Sequence, residues 1–369
     1  MSDPDPMILS AAGAAPGAAP LTAPLAARLA PVGKALPWLA LGLAVAAPWL
    51  LSAYDLNLLA RFMAMAILAL GIVLIWGHGG ILSLGHGVFF GLGGYALAIH
   101  MKLADLPQGE IPDFMQWSGR TALPWWWEPF SSPMFTLLAV LVLPALVAGL
   151  FCWAVFHRRV GGTYFALISQ ALALAFATLL VSQQDVTGGF NGLTQFSSLF
   201  GFGLTRPSVV QGLYWVTLAI VVAAYLGLRL LLASRFGMLL RAARDGENRL
   251  RFLGYSPTPV KVAAFALSAL LAGMAGALFT LHAGVISPAL VGVIPSIEMI
   301  VWVAIGGRYS FAGAILGTLL INIARDSISS AFPELWLYVM GALFILVVTL
   351  MPDGLAGAAR NLIERARAR

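Results

Sequence analysis

Charged side chains and cysteine are both scarce in this chain. Asp, Glu, Lys and Arg make up only 10% of its 369 residues, whereas about 25% is usual in a soluble domain. The one cysteine, Cys152, lies inside an apolar run, which excludes a disulfide within the chain and a CxxC metal site. The shortage of charge excludes a fold built around a single soluble core.

Motifs of nucleotide hydrolysis and of common catalytic sites are missing as well. There is no GxxxxGKS or GxxxxGKT phosphate loop, and the one lysine that follows a glycine, Lys34, is itself followed by Ala35. The five histidines form no HExxH zinc motif, and no GxSxG nucleophile elbow occurs. We therefore expect no enzyme activity, no catalytic residue, and neither a metal nor a cofactor bound by this chain.

Long apolar segments fill most of the sequence instead. Hydrophobic residues account for 60% of the chain, and the mean hydropathy is +0.91. Because a helix needs about 20 apolar residues to cross the hydrocarbon layer, the pattern predicts an all-α, polytopic integral membrane protein with about ten transmembrane helices. The segments that begin at Val88 and Ile297 are short for a full crossing, so each is a candidate for a broken or re-entrant helix. The predicted spans are Leu36–Ala53, Leu58–Trp76, Val88–Met101, Phe135–Phe156, Tyr164–Ser182, Gly212–Leu232, Val260–Leu281, Ile297–Ile305, Ala312–Ser330 and Leu335–Met351.

Basic residues are concentrated in a few loops between the apolar segments. The net charge is +6, and the arginines cluster in residues 233–259 and at the C-terminal end. Because positively charged loops stay in the cytoplasm, we expect this charge to set the topology and not to bind nucleic acid. The prediction is a multi-pass protein of the bacterial inner (plasma) membrane with both termini in the cytoplasm.

The same pattern divides the chain into three regions. Residues 1–33 form an Ala- and Pro-rich tail that is expected to be disordered, residues 34–355 form the membrane domain, and residues 356–369 form a basic cytoplasmic tail. Within the membrane domain, residues 102–133 are an outward-facing, Trp-rich insert, and residues 233–259 are a cytoplasmic loop. This loop alternates apolar with charged residues, which is typical of short helices along a membrane surface. From composition alone it is either a docking element, a solvated basic face or a contact for lipid headgroups.

Several sequence blocks resemble one family of transporters. The run SRFGMLLRAARDGENRLRFLGYSPTPVKVAAFALSALLAGMAGA from Ser234 is similar to the cytoplasmic coupling loop and following helix of ABC importer permeases of the branched-chain amino acid family. Three further blocks resemble that family: GGILSLGHGVFFGLGGYALA from Gly79, TGGFNGLT from Thr187 and PSIEMIVWVAIGGRYSFAGAILG from Pro295. The resemblance implies a permease subunit that works with a second homologous permease subunit, two ATP-binding subunits that hold the ATP, and a periplasmic substrate-binding protein.

The resemblance also assigns a role to the 233–259 loop. In that family the loop docks on the ATP-binding subunit, which implies that a set of loop residues transmits the closure of that subunit to the membrane domain. The set is Arg241, Arg244, Asp245, Glu247 and Gly254. The chain departs from the general pattern of ABC importers, because Glu247-Asn248-Arg249 stands where the pattern has Glu-Ala-Ala, and Gly254 comes one residue late.

Within the family, three segments resemble the second permease subunit of urea ABC transporters. They are PDFMQWSGRTALPWWWEPF from Pro112, ISQALALA from Ile168 and FPELWLYVMGALFILVV from Phe332. This resemblance implies that the chain translocates urea by alternating access. An alternative with the same fold is import of branched-chain amino acids or short-chain amides. Alternatives of other classes are an ATP-independent channel or secondary carrier, and a membrane-embedded enzyme.

Polar residues inside the apolar segments are the candidates for contact with a passing substrate. Urea has four N–H donors and one carbonyl acceptor, and leaving such groups without partners costs several kcal/mol. The candidates are Ser83, His86, Gln170, Asn191 and Glu298, with Ser169, Gln183 and Asn322 as further polar residues. Each could instead bond the backbone or a neighbouring helix. Glu298, three residues after Pro295, is equally a candidate for a carboxylate at a helix N-terminus.

Overall fold

The computed structural model of the chain describes residues 40–107, 110–158, 160–204, 206–332, 334–350 and 354–358. The tail predicted for residues 1–33 and nearly all of the tail 356–369 lie outside these residues. Helices make up most of the described chain, which confirms the predicted all-α, polytopic class. In chain order they are α1 (Ala40–Leu50), α2 (Ala53–Ile72), α3 (His86–Ala104), α4 (Asp113–Trp117), α5 (Pro133–His157), α6 (Thr163–Ser182), α7 (Gln184–Thr187), α8 (Pro207–Ala233), α9 (Arg235–Asp245), α10 (Glu247–Phe252), α11 (Pro257–Ala283), α12 (Val293–Gly306), α13 (Phe311–Ala331) and α14 (Leu335–Leu350).

Shorter elements connect these helices. A π-helical turn (Val73–His78) extends α2, and 3-10 turns occupy Glu128–Ser131, Gly189–Asn191 and Pro288–Leu290. The part of the chain that the structure describes also has two-residue strands, namely β1 (Leu193–Thr194), β2 (Ser198–Leu199), β3 (Phe202–Gly203) and β4 (Val285–Ile286). Strand β1 pairs antiparallel with β4, with Leu193 opposite Ile286, and β2 pairs antiparallel with β3. The first pairing ties the connection after α6 to the connection after α11.

The predicted spans and the observed helices coincide closely. Among the described residues, eight helical segments are long and apolar enough to cross a membrane, while α1 and α14 are shorter, so ten crossings remain a prediction. The segment predicted from Val88 is longer than expected, because α3 runs for 19 residues. Helix α12 has only 14 residues, about 21 Å at 1.5 Å per residue, and the 3-10 turn before it lengthens the apolar segment to Pro288–Gly306.

Proline marks where three of the longest helices begin. Pro133, Pro207 and Pro257 stand at the first positions of α5, α8 and α11, where the missing N–H would have no partner within the helix and the fixed φ suits helical geometry. Helix α11 ends at Ala283 and is capped by Gly284, which has a φ of +67°, a left-handed conformation that glycine adopts without strain.

Helix α11 forms the centre of the bundle and packs against α2, α3 and α5. Small residues bring its backbone close to that of α3, since a Cβ on Gly93 would overlap the backbone of Gly273, and one on Gly276 would overlap the carbonyl of Phe90. Helices in a membrane rely on such close approach because lipid gives them little hydrophobic drive to associate. Helices α5, α6 and α8 are much less buried within the chain and present apolar faces outward.

Helix α3 begins deep inside the bundle. After the π-helical turn that ends at His78, residues 79–85 are not helical, and α3 begins at His86, whose ring lies beside Ser268. Ser268 is near the middle of α11 (Pro257–Ala283). The chain between α2 and α3 therefore returns to about half the depth of the bundle before the next helix starts.

Candidate substrate passage and coupling segment

The N-terminal end of α3 carries a buried cluster of polar side chains. The two ring nitrogens of His86 have hydroxyl neighbours: Nδ1 is 3.1 Å from Ser83 Oγ, and Nε2 is 2.9 Å from Ser268 Oγ. All three residues are buried. The non-helical segment 79–85 supplies Ser83, so the break before α3 places two of the sequence candidates, Ser83 and His86, in contact.

Hydroxyls from two more helices bind the backbone at the same place. Ser169 of α6 accepts a hydrogen bond from the Leu84 N–H (3.0 Å), and Ser296 of α12 accepts one from the Gly87 N–H (3.1 Å). Leu84 belongs to the non-helical segment before α3, and Gly87 lies in the first turn of α3, where N–H groups have no carbonyl partner within the helix. Helices α3, α6, α11 and α12 thus converge on one cluster of four serines and one histidine. We call Ser83, His86, Ser169, Ser268 and Ser296 the α3 cluster.

Only part of this cluster could be identified from the sequence. Ser268 and Ser296 were not among the candidates, because each is a lone serine in an apolar run, and small polar residues of this kind usually bond their own helix. The available signal was Ser83-Leu84-Gly85-His86, a polar and flexible break between two apolar segments. The helices that complete the cluster could be identified only from the packing.

Glu298 lies in a different environment from the α3 cluster. Its carboxylate accepts a hydrogen bond from Arg325 of α13 (2.5 Å) and another from Trp336 Nε1 of α14 (3.1 Å). The carboxylate is almost fully buried, and at the next position of α13, Asp326 lies 4.0 Å from Arg61 of α2. Glu298 therefore joins α12, α13 and α14 through an ion pair that is buried on the carboxylate side.

The remaining two candidates occupy separate positions. Gln170 follows Ser169 on α6 and is half-buried. Asn191 is exposed and lines a cleft of about 510 Å³ between the Trp-rich insert and the 184–195 segment, together with Lys102, Asp105 and Asp113. Of the five candidates, the structure brings only Ser83 and His86 into direct contact.

The Trp-rich insert is fastened to the connections beside that cleft. Arg120 of the insert forms an ion pair with Asp185 (2.5 Å), and Asp105 accepts hydrogen bonds from the Ser197 N–H and the Ser198 hydroxyl. Burial raises the pKa of Asp105, but these hydrogen bonds outweigh burial and hold the pKa below its ordinary value. The insert is thus a packed part of the domain, with Trp127 fully buried at its centre.

The 233–259 loop forms two short helices, α9 and α10, that pack against the end of the bundle. Arg244 of α9 donates from Nη1 to the carbonyl oxygen of Gly77 (2.7 Å) and pairs through Nε with Asp245 (2.7 Å). The side chain of Arg244 also lies against Gly80. Arg241 donates to the carbonyl of Leu232 at the end of α8. Helix α9 is therefore attached to the segment that leads into the α3 cluster.

Glu247 fastens α10 to the start of α11. Its carboxylate accepts a hydrogen bond from Arg251 (2.7 Å) and another from Lys261 (2.5 Å). Burial raises the pKa of Glu247, but the two cations outweigh burial and hold the pKa below its ordinary value. Gly254 forms the turn between α10 and α11 with a φ of +84°, a conformation that glycine adopts most easily. Four of the five proposed coupling residues, Arg241, Arg244, Asp245 and Glu247, thus form hydrogen bonds or ion pairs within the 233–259 loop or to its neighbours, and Gly254 sets its turn.

Comparison with known proteins places this architecture in a family. A family model described as branched-chain amino acid transport system / permease component matches residues 55–348. The chain belongs to this family. It is 29% identical over 340 residues to the high-affinity branched-chain amino acid transport system permease protein LivM of Escherichia coli K12, covering 86% of this chain and 73% of that protein.

Other permeases of the family are similar to this chain over shorter stretches. The permease protein LivH of Escherichia coli K12 is 26% identical over 309 residues, covering 79% of this chain and 91% of LivH. A probable LivM of Methanocaldococcus jannaschii is 26% identical over 237 residues, covering 59% of this chain and 68% of that protein. No solved structure matches the chain.

Membership of this family confirms the predicted transport class: the chain is a membrane-spanning permease component and not an enzyme. The relatives are named for branched-chain amino acids, so the urea branch of the resemblance stays a prediction. Among the residues that the structure describes, no three His, Cys, Asp or Glu side chains are grouped in a way that could hold a metal ion.

Proposed function

We propose that this chain is a permease subunit of an ATP-driven importer in the bacterial inner membrane, and that its cargo is urea. It would work with a second homologous permease subunit, two ATP-binding subunits that bind the ATP, and a periplasmic binding protein that delivers the substrate. Both termini would face the cytoplasm. The observation that carries the proposal is the α3 cluster, a buried polar site without a carboxylate or an ammonium group at the start of a helix that begins inside the bundle.

The position of the cluster supports a role in translocation. In membrane transporters, substrates bind where a helix is interrupted near mid-membrane depth, since only there can backbone and polar side chains be offered to a solute without facing lipid. The non-helical segment 79–85 and the start of α3 at the level of Ser268 provide such an interruption.

The chemistry of the cluster supports an uncharged cargo. Serine hydroxyls and imidazole both donate and accept hydrogen bonds, which suits a molecule with N–H donors and a carbonyl acceptor. Ser169 and Ser296 already donate to the carbonyls of Ala166 and Gly292, so they would serve as acceptors. A zwitterionic amino acid would need opposite charges for its carboxylate and ammonium groups, because burying an unpaired charge is far more costly than burying an amide. Glu298, the one carboxylate among the sequence candidates, is already paired with Arg325.

The attachment of α9 supports coupling to an ATP-binding partner. Arg244 contacts Gly77 and Gly80. The segment that contains these glycines continues to Ser83 and His86 of the α3 cluster. A displacement of α9 by a partner subunit would therefore move the segment that lines the site. On this proposal Arg241, Arg244, Asp245, Glu247 and Gly254 transmit the movement, and no long-range rearrangement is needed to reach the substrate.

Import of a branched-chain amino acid is the second candidate. The names of the relatives favour it, and the positive end of the α3 dipole could bind a carboxylate. The two candidates predict opposite responses to the loaded binding protein. In the reconstituted importer, urea-loaded binding protein should stimulate ATP hydrolysis, and His86→Ala should remove most of that response, since leaving a buried polar group without its partner costs about 1–3 kcal/mol.

A matched control is the exposed serine Ser182 at the end of α6, whose hydroxyl bonds only its own helix. Ser182→Ala should leave the stimulated rate unchanged, whereas Ser268→Ala should lower it. If leucine-loaded binding protein stimulated ATP hydrolysis and urea-loaded binding protein did not, the cargo would be a branched-chain amino acid. If Ser182→Ala and Ser268→Ala changed the stimulated ATPase rate equally, the α3 cluster would not be part of the substrate passage.

A further inference from the structure

An open cavity of about 590 Å³ lies where α5 ends and α11 begins, beside α10. One part of its lining is apolar and comprises Trp153, Phe156, Val262 and Ala263. The other part is polar and comprises His157, Arg251, Ser256 and Thr258. The cavity shares no lining residue with the α3 cluster or with the contacts of Arg244, and it meets the proposed coupling residues only through the Arg251–Glu247 ion pair.

The polar part of the cavity has an excess of positive charge. Arg251 and Lys261 share one carboxylate, that of Glu247, so one of the two charges is not compensated by this pair. The Nε of Arg251 is buried and has no hydrogen-bond partner among the described residues. His157 also lines the cavity. Hydroxyls of Ser256 and Thr258 lie at the start of α11, where the helix dipole favours an anion.

The apolar part of the cavity continues along the outer face of α5. Leu146, Leu150 and Trp153 are each more than half exposed, and their spacing of four and three residues places them on one side of the helix. Because α5 is long and apolar enough to span the membrane and ends at His157, the cavity lies at the level of lipid headgroups, and the exposed residues lie at the level of acyl chains. A ligand that fits has a phosphate at one end and a hydrocarbon chain at the other.

We propose that this cavity binds the headgroup of an anionic phospholipid, with the phosphate against Arg251, Ser256 and Thr258 and an acyl chain along Trp153 and Leu150. Glu247 and Lys261, which fix α10 to α11, share the ion-pair network of Arg251. A bound lipid therefore stabilises the position of α10 and links the coupling segment to the composition of the membrane. The inference does not depend on which solute the permease carries.

The test is photocrosslinking in nanodiscs that contain the assembled importer. Photoactivatable phosphatidylglycerol or phosphatidylcholine is included as the probe, and labelled peptides are mapped by mass spectrometry. Phosphatidylglycerol should label the peptides around 146–158 and 251–263 more strongly than phosphatidylcholine does. Arg251→Gln should lower this labelling roughly fivefold, the effect of removing one cation at an anionic surface. Thr258→Val, which leaves the ion pairs intact, should also lower it.

Arg235→Gln is the matched control, because Arg235 is an exposed arginine at the start of α9 and does not line the cavity. It should leave the labelling unchanged. Equal labelling by the two lipids, or no effect of both Arg251→Gln and Thr258→Val, overturns the proposal. Displacement of the label by millimolar inorganic phosphate points to a free anion and overturns it too. If the assembled importer is not labelled at these peptides, a protein subunit covers the cavity, and the proposal is overturned.

Discussion

Arg244 and Gly77 are 167 positions apart in the chain, yet Arg244 Nη1 donates a 2.7 Å hydrogen bond to the Gly77 carbonyl oxygen. The bond joins the amphipathic helix α9 to the end of the π-helical turn after α2. Only five residues separate Gly77 from Ser83 of the α3 cluster. This short connection between the coupling segment and the polar site is the basis of the mechanism that we propose.

Arg244→Ala removes the contact with Gly77 and the ion pair with Asp245 at once. We expect the protein to insert and assemble, because Arg244 lies at the end of the bundle, while ATP hydrolysis loses its dependence on the loaded binding protein. Substrate-stimulated ATPase activity in proteoliposomes is the measurement. Arg235→Ala serves as the control for charge on α9. Normal stimulation in Arg244→Ala would show that the Gly77 contact does not transmit the partner's movement.

Glu298→Gln leaves Arg325 without its carboxylate. Breaking a fully buried pair from one side costs about 3–5 kcal/mol, and because the Arg325 side chain is partly exposed, we expect about 1–3 kcal/mol here. The melting temperature of the purified protein should fall, and the double variant Glu298→Gln, Arg325→Gln should recover part of the loss. A stable Glu298→Gln protein that has lost urea uptake would instead place Glu298 in the passage.

Gly93→Ala tests the close approach of α3 and α11. The new methyl group would overlap the backbone of Gly273, and overpacking of this kind costs about 1–3 kcal/mol. Gly212→Ala on α8 is the matched control, because a Cβ there meets nothing within 4 Å. Thermal unfolding in detergent should show a lower midpoint for Gly93→Ala and little change for Gly212→Ala. Equal midpoints would mean that the two helices can separate at small cost.

The ion pairs of Glu247 with Arg251 and Lys261, which hold α10 against α11, should be insensitive to pH near neutrality. Because the folded-state pKa of Glu247 lies below its ordinary value of 4.5, its contribution to stability is fully present above that value and is lost as the pH falls through the lower, folded pKa. Hydrogen exchange of the α10 amides, corrected for intrinsic rates, should show constant protection between about pH 6 and 8 and a loss in acid. Glu247→Gln at neutral pH should resemble the acid state of the wild type. Loss of α10 protection in a transition near pH 6.5 would mean that a histidine, and not Glu247, holds α10 in place.

The positions of the helices could be predicted from the sequence because each apolar run has clear polar or proline boundaries. The pairing of Glu298 with Arg325 could not be predicted. The two residues are 27 positions apart, Arg325 is followed directly by Asp326, and each charge is compatible with a helix end in lipid. Which pairs form depends on how α12, α13 and α14 pack, and this packing leaves no local pattern.

The α3 cluster, too, could be predicted only in part from the sequence. Ser83 and His86 stand in a break that the sequence makes visible, so they could be chosen as candidates. Ser268 and Ser296 join them only because glycines at 87, 93 and 273 allow α3 to approach α11 and the start of α12 closely. The contribution of those serines follows from tertiary contacts between segments far apart in the chain.

Uptake of labelled urea under nitrogen limitation, in cells with and without this gene, tests the central claim most directly. Excess leucine and short-chain amides serve as competitors, and His86→Ala serves as the variant. The account predicts loss of a high-affinity, ATP-dependent component of urea uptake in the deletion, little competition by leucine, and no rescue by His86→Ala. Unchanged urea uptake together with lost leucine uptake would contradict it.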